Sequence, residues 1–477
     1  MTSAQIAPAP AGGTEPSEIS GPVAQRTPRP RHLAPYYLAT ALFVAYSVIS
    51  VSRYRQLRTM SWDLGIFEQA IRGYAQLQAP LADLKGPGAH ILGDHFSPVT
   101  ALLAPAYRLF PSPVTLLIAQ AALLALSAVP VTRAATRLLG PARGLALGIA
   151  YGLSWGIQRA VDFDFHEICF AVPLIAFALE AILRERWRAA LWWALPLVLV
   201  KEDLGATTAA IALVVVVRAR RTSPRMVPYA IGVVVFGAVA ALLTFTVLIP
   251  AFNTTGAYDY WNKVGGGGGP FDGLDTKLRT LGWLLLPTTG LLALRSPLLI
   301  VALPTVGWRF LSSDSHYWDT GWHYSAVLMP VVILALADAI DLYRRSARPR
   351  LRAYALQLPA AVAAASLALT TALPLARLTE SDTYRKSDRV IAAERLLDRI
   401  PDGAKVEANI GPISRLTSRC RVFWVGRTEG VTPDFIALDN RSGRFKDPQG
   451  YAGRLHPRVG YTEAGRAGGF VLLKRSS

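Results

Sequence analysis

Long apolar runs separated by short polar segments occupy most of the chain up to residue 376. The runs from Met226 to Pro250 and from Tyr354 to Leu375 approach the roughly 20 apolar residues that a helix needs to cross a bilayer. The pattern therefore predicts a multi-span membrane domain over residues 33–376, with about eleven transmembrane helices. We place these helices near residues 32–51, 112–132, 144–160, 168–183, 189–201, 204–217, 227–250, 278–294, 297–311, 324–343 and 353–376.

The pattern changes after Arg377. Apolar positions with helical spacing lie within Asp382 to Ile400. Short apolar runs follow at residues 405–408, 421–425, 434–438 and 469–473. One helix followed by several short strands indicates a small α/β domain over residues 377–477. The predicted fold class is thus an all-α polytopic membrane protein with a small C-terminal α/β domain.

The composition supports this class. Charged residues make up 17% of the chain, against about 25% in a soluble globular protein, and apolar residues make up 52%. These values exclude a soluble enzyme, a secreted disulfide scaffold and a disordered chain. Residues 1–32 differ because they are rich in Ala, Pro, Gly and Ser, and we predict a disordered cytoplasmic tail there.

Much of the net charge of +18 lies in basic clusters between apolar runs. These clusters are Arg133–Arg143, Arg184–Arg188, Arg218–Arg225 and Arg344–Arg352. Basic residues at the ends of membrane helices mark cytoplasmic loops, so the charge predicts topology in the cytoplasmic membrane rather than nucleic-acid binding. With the N-terminus inside and an odd number of spans, the C-terminal domain and the loops 52–97, 251–277 and 312–323 are predicted to be extracytoplasmic.

Carboxylates and histidines gather at the predicted external ends of the spans. They are Asp63, Glu68, Asp94 and His95 in the first loop, Asp164, His166 and Glu167 after the third span, Lys201, Glu202 and Asp203 between two short spans, and Asp314, His316 and His323 near another span. Each cluster alone is typical of a solvated loop. Their common membrane face favours convergence on one pocket.

The Lys201-Glu202-Asp203 cluster is the exception to the solvated-loop interpretation. Residues 189–217 must supply two crossings, which leaves these three side chains near or within the apolar slab. Ionisable groups there are costly and mark functional sites. A purely structural pair between Lys201 and a neighbouring carboxylate is the alternative.

These residue types suit transfer of a sugar from a lipid phosphate to an external acceptor. An acid near the lipid surface can act as general base on a hydroxyl. Further carboxylates and histidines can hold a divalent cation such as Mg²⁺ or Mn²⁺, and a lysine can bind the phosphate. The alternatives are a transporter or flippase for a lipid-linked or polar substrate, and an assembly or sensor protein acting through its C-terminal domain. A transporter often contains inverted repeats, and the sequence has no evident repeat.

Four segments in the same order, residues 63–69, 93–98, 164–166 and 201–203, resemble the bacterial predicted membrane proteins grouped as domain of unknown function 2079. The His323-Tyr324 segment and the C-terminal domain are also similar. That family looks like a branch of the GT-C glycosyltransferase superfamily, which implies a GT-C-like fold, a polyprenyl-phosphate sugar donor and an external active site. The acid of the first external loop in that superfamily maps onto Asp63, which is followed here by Leu64 rather than by a second acid.

The resemblance implies specific roles. Asp63 is the expected catalytic residue, as general base or metal ligand. The candidate ligands of a divalent cation are Asp63, Asp94, His95 and Asp164. The candidate substrate-binding residues are Glu68, Gln69, Asp94, His95, Asp164, His166, Glu167, Lys201, Glu202, Asp203, His323 and Tyr324, with Lys201 and Glu202 at the donor phosphate. The expected partners are the polyprenyl-phosphate sugar, an extracytoplasmic glycan, lipid or protein acceptor, and membrane lipid.

Overall fold

The computed structural model describes residue 5, residues 33–256 and residues 271–476. The predicted tail, residues 1–32, lies almost entirely outside the described residues, as does part of the predicted loop 251–277.

Helices form nearly all of the membrane domain. They are α1 (Ala34–Arg55), α2 (Trp62–Ala75), α3 (Ala104–Leu109), α4 (Pro113–Leu139), α5 (Pro141–Gly152), α6 (Trp155–Asp162), α7 (Ala171–Leu183), α8 (Trp187–Ala194), α9 (Leu204–Thr222), α10 (Val227–Leu243), α11 (Ile249–Phe252), α12 (Leu274–Thr289), α13 (Leu303–Leu311), α14 (Met329–Tyr343) and α15 (Pro349–Thr370). Turns of 3-10 helix extend several of them, at Glu167–Phe170 before α7, Leu195–Leu199 after α8, Pro297–Ala302 before α13 and His323–Leu328 before α14.

Five helices of the described chain are long and apolar enough to cross a membrane. They are Ala34–Arg55, Pro113–Leu139, Pro224–Phe252, His323–Tyr343 and Pro349–Thr370. The other predicted spans fall on shorter or divided helices; the span predicted at 144–160, for example, falls on α5 and α6 with a break between them. The multi-span architecture is therefore confirmed, and the total of eleven stays a prediction.

The helices pack through small residues and leave apolar faces outward. A Cβ atom added at Gly205 of α9 would lie 2.5 Å from the carbonyl oxygen of Gly237 of α10, so both glycines are needed for this close approach. Val235, Phe236 and Leu242 of α10 are exposed. A helix that is apolar on all sides, with its outer side chains uncovered, is suited to lipid contact.

The C-terminal residues form the predicted α/β domain. Its elements are α16 (Asp388–Leu397), β1 (Lys405–Ala408), α17 (Ile410–Leu416), β2 (Arg421–Trp424), β3 (Phe435–Asp439), α18 (Pro448–Leu455), β4 (Tyr461–Ala467) and β5 (Phe470–Arg475). The strand order is β2-β1-β3-β5-β4, with β1 parallel to β2 and β3, and β5 antiparallel to β3 and β4. The predicted fold class, helical with a small C-terminal sheet, is confirmed.

Candidate functional site

One cavity of about 600 Å³ opens where several membrane helices begin or end. Its polar lining consists of Asp63, His95, His166, Lys201, Glu202 and Asp203, and its apolar wall consists of Phe163, Ala206, Ala241, Phe245, Pro304, Trp308 and Leu311. Met60, Trp62, Ser312, Asp314, His316, Tyr317, Trp322 and Tyr324 complete it. Side chains from each of the predicted polar clusters thus share one cavity.

Asp63 lies in the first turn of α2. Ser61, which precedes the helix, has a left-handed backbone conformation with φ of 64°, and the backbone N–H of Met60 donates to Asp164 Oδ1 at 3.1 Å. Asp164 is fully buried and lies outside the cavity lining. Burial raises the pKa of Asp164 to about 7, and the charge of Asp63 adds to this rise. On the acidic side of neutrality Asp164 holds a proton and adds no second negative charge beside Asp63.

Lys201 lies in the turn before α9, where it lines the cavity and is also paired. Its Nζ atom lies 2.9 Å from Glu167 Oε1 and 3.5 Å from Glu202 Oε1. Glu167 Oε2 also lies 2.6 Å from His166 Nδ1. Because Glu167 is fully buried, its charge requires these partners. The structural pair considered in the sequence analysis is therefore present, and it leaves Lys201 at the cavity surface.

Aromatic rings contact one another next to the cavity. The ring centroids of His166 and His323 are 3.9 Å apart, and those of Phe163 and His323 are 4.4 Å apart. His323 is buried and lies outside the lining, whereas the adjacent Tyr324 lines the cavity. These ring contacts hold the His166 ring at the cavity lining.

Asp94 and His95 form a buried pair at the end of the first loop. Asp94 Oδ2 contacts His95 Nδ1, and Lys85 Nζ lies 3.0 Å from Asp94 Oδ1. Burial alone would raise the pKa of Asp94, but the charges and hydrogen bonds of His95 and Lys85 outweigh burial and lower it. The pKa of His95 is raised in turn, since the charge and hydrogen bond of Asp94 outweigh burial. His95 lines the cavity and Asp94 holds it from behind.

Glu68 and Gln69 do not line the cavity. Tyr107 donates to Glu68 Oε1 at 2.8 Å, and Thr417 donates to the other oxygen of Glu68. Gln69 Nε2 donates to the carbonyl oxygen of Val422 at 2.8 Å. Glu68 follows Asp63 by five residues in α2, so its side chain points roughly 140° away around the helix axis. The structure thus directs Glu68 and Gln69 toward the C-terminal domain and away from the cavity reached by Asp63.

The four candidate metal ligands do not form a common site. Within the described residues, no group of three His, Cys, Asp or Glu side chains is arranged to hold a metal ion. Asp94 is occupied by His95 and Lys85, and Asp164 accepts a backbone hydrogen bond behind the lining. The donor arrangement does not fit a cation at these four residues, and no chemical step is assigned to one.

The apolar wall has no distinguishing signal in the sequence. Ala241, Phe245 and Trp308 lie within predicted spans, where an apolar residue has the same pattern whether it contacts lipid, the protein core or a cavity. Asp314 and His316 belong to the polar clusters that the sequence predicts to converge on one pocket, and both line the cavity.

Two solved structures are similar to this chain over nearly its whole length. The crystal structure of ArnT from Cupriavidus metallidurans bound to undecaprenyl phosphate is 15% identical, with a TM-score of 0.57, covering 93% of this chain and 98% of ArnT. ArnT in the apo state is 14% identical, with a TM-score of 0.52 and coverages of 92% and 97%. The similarity shows that this chain shares the fold of ArnT, which agrees with the expected GT-C-like fold.

Comparison at the level of sequence gives the family. Curated proteins yield no sequence match. The family model described as "Predicted membrane protein (DUF2079)" matches residues 53–265 and 268–451. The match includes all four segments on which the resemblance rests. The chain belongs to the DUF2079 family of predicted multi-pass membrane proteins.

Proposed function

We propose that this protein is a membrane glycosyltransferase, which transfers a sugar from a polyprenyl-phosphate-linked donor to an acceptor outside the cytoplasm. The observation that carries the proposal is the cavity, because it joins a carboxylate, a lysine and an apolar wall in one space. The GT-C-like fold shared with ArnT, which was crystallised with undecaprenyl phosphate, supports the same substrate class.

The donor has two chemically different parts, and the cavity has a surface for each. Lys201 provides a cation for the phosphate. Ala241, near the end of α10, and Phe245, just beyond that helix, provide apolar surface for the first units of the polyprenyl chain. Because exposed apolar residues of α10 continue from this wall, the chain can extend from the cavity into the bilayer.

Asp63 is the proposed general base. It removes the proton from an acceptor hydroxyl while the hydroxyl oxygen attacks the anomeric carbon of the sugar. The bond between that carbon and the phosphate oxygen breaks, and the bonding electron pair leaves with the polyprenyl phosphate. His95 and His166 on the cavity floor are placed to position the acceptor or the sugar by hydrogen bonds.

The decisive experiment is the substitution Asp63→Asn, assayed with the purified protein and a labelled polyprenyl-phosphate sugar. The amide preserves size but cannot accept the proton, so we expect the turnover rate to fall by about 10²–10⁴. The matched control is Asp275→Asn, since Asp275 is an exposed acid in the first turn of α12 and lies outside the cavity lining. Normal turnover by Asp63→Asn, or no transfer by the unmodified protein from any such donor, would contradict the proposal.

A further inference from the structure

A second groove of about 580 Å³ lies at the end of α1, between that helix and residues 383–386. It shares no lining residue with the cavity described above. Ser52 Oγ donates to the carbonyl oxygen of Thr383 at 2.5 Å, and Gln56 Nε2 donates to the carbonyl oxygen of Asp382. These bonds fasten the turn Ser381–Tyr384 to α1, so the groove is a fixed feature of the fold.

The charged residues that line this groove are all cations: Arg55, Arg385 and Lys386. Lys386 Nζ is bound to Glu394 at 2.7 Å. Within the described residues, the guanidinium groups of Arg55 and Arg385 have no hydrogen-bond or ion-pair partner. Both arginines are exposed, so two positive charges are available to an anion from outside the protein.

Apolar surface continues from these charges along α1. Val48 and Val51 line the same groove, and both belong to a helix long and apolar enough to cross a membrane. The hydroxyl oxygen of Ser47 is buried there without a hydrogen-bond partner among the described residues. Cationic side chains beyond the apolar span and apolar side chains within it place the groove across the membrane interface.

An aromatic side chain supports this position. Tyr384 lines the groove, is 63% exposed, and donates its hydroxyl to the carbonyl oxygen of Leu378 at 2.8 Å. Tyrosine is enriched where a membrane meets water, because its side chain is amphipathic.

We propose that this groove binds an anionic phospholipid of the surrounding bilayer. The phosphate of the headgroup lies between Arg55 and Arg385, and an acyl chain lies along Val48 and Val51. The Ser47 hydroxyl donates a hydrogen bond to an ester oxygen of the same lipid. Arginine guanidinium groups bind phosphates through charge-assisted hydrogen bonds in this way, and this inference does not depend on the proposed transferase activity.

The test is retention of phosphatidylglycerol by the full-length protein, measured by native mass spectrometry after purification in mild detergent. We expect the unmodified protein to retain phosphatidylglycerol and the Arg55→Gln/Arg385→Gln variant to bind it at least about tenfold more weakly, because two charge-assisted bonds are lost. The control is Arg427→Gln/Arg444→Gln, which removes two exposed arginines outside the groove and should leave retention unchanged.

A second variant separates a lipid site from a simple anion site. Val51→Trp fills the apolar half without changing charge, and it should reduce phosphatidylglycerol retention as well. Equal retention of zwitterionic phosphatidylcholine, full retention by either groove variant, or displacement of the lipid by inorganic phosphate at similar concentration would overturn the proposal. Equal loss in the control variant would also overturn it, since it would indicate non-specific attraction.

Discussion

At the scale of single residues, the ion pair between Lys201 and Glu167 means that substituting Lys201 changes stability as well as donor binding. Lys201→Ala removes a phosphate contact, but it also leaves the buried charge of Glu167 without its lysine partner. Breaking a buried pair in this way typically costs about 3–5 kcal/mol. A single substitution therefore mixes a structural effect with a functional one.

The double variant Lys201→Ala/Glu167→Gln separates the two effects. We expect Lys201→Ala to lower the unfolding temperature and the double variant to recover most of the loss, because the substituted amide leaves no buried charge to compensate. Donor KM should stay raised in both variants, by about tenfold for one lost charge-assisted contact. Recovery of normal donor KM in the double variant would show that Lys201 acts only through Glu167.

A buried acid gives the protein a defined pH dependence of stability. Burial raises the pKa of Glu68 to about 7 from its ordinary value of 4.5, against the opposing hydrogen bonds of Thr417 and Tyr107. Between these two values the folded chain binds more protons than the unfolded chain, so stability falls as pH rises through about 7. The rise in pKa corresponds to roughly 3 kcal/mol.

We therefore expect Glu68→Gln to be more stable than the unmodified protein at about pH 8 and to lose this advantage at about pH 4. Thermal unfolding in detergent over this range measures the difference, and other titrating groups cancel in the comparison. Glu380→Gln, which changes an exposed acid, is the control. A constant difference between the two proteins across the range would refute the assigned titration of Glu68.

At the scale of elements, α2 is held by the C-terminal domain on the side opposite the cavity. Ser61 Oγ lies 2.8 Å from Ser414 Oγ of α17, and Thr59 Oγ1 lies 2.9 Å from Ser61 Oγ. A left-handed serine is strained by about 1–3 kcal/mol and persists where its surroundings impose it. This hydroxyl network therefore fixes the start of the helix that carries Asp63.

Ser414→Ala tests this coupling. We expect kcat to fall by about tenfold with little change in donor KM, because a displacement near 1 Å of a catalytic group costs up to about 10²-fold in rate. Unfolding free energy should fall by only about 1 kcal/mol. Ser442→Ala, at an exposed position of the same domain, should change neither value, and unchanged kcat in a folded Ser414→Ala protein would disprove the coupling.

The sequence predicts elements well where one environment dominates. Strand β1, at residues 405–408, is predicted with its observed bounds. It lies between β2 and β3, and its last three residues are buried, so its pattern is apolar. Strand β4 escapes prediction because it pairs with β5 alone and is mostly exposed, so it needs no apolar pattern. The position of Glu68 outside the cavity could not be predicted either. The sequence shows that Glu68 lies on a different face of α2 from Asp63, but it does not show which face packs against the C-terminal domain.

At the scale of the whole molecule, the helices connect the cavity to the basic clusters. Helix α9 begins at Leu204, next to Asp203 of the cavity lining, and ends at Thr222 beside Arg220 and Arg221. Its 19 residues rise about 28 Å, close to the thickness of the hydrocarbon core. Helix α14 likewise leads from the cavity toward the basic cluster at 344–352. The cavity and these two basic clusters therefore lie at opposite ends of α9 and α14.

This separation makes orientation a direct test of the proposed chemistry. Basic loops face the cytoplasm, so we expect a topology reporter inserted near Arg221 to be cytoplasmic and one fused after Ser477 to be extracytoplasmic. A reporter near Arg348 is the internal control and should match the one near Arg221. Because α2 joins the cavity to the C-terminal domain, the C-terminal reporter also locates the cavity. If that reporter were active only in the cytoplasm, the cavity would face the cytoplasm, and an extracytoplasmic acceptor could not reach Asp63.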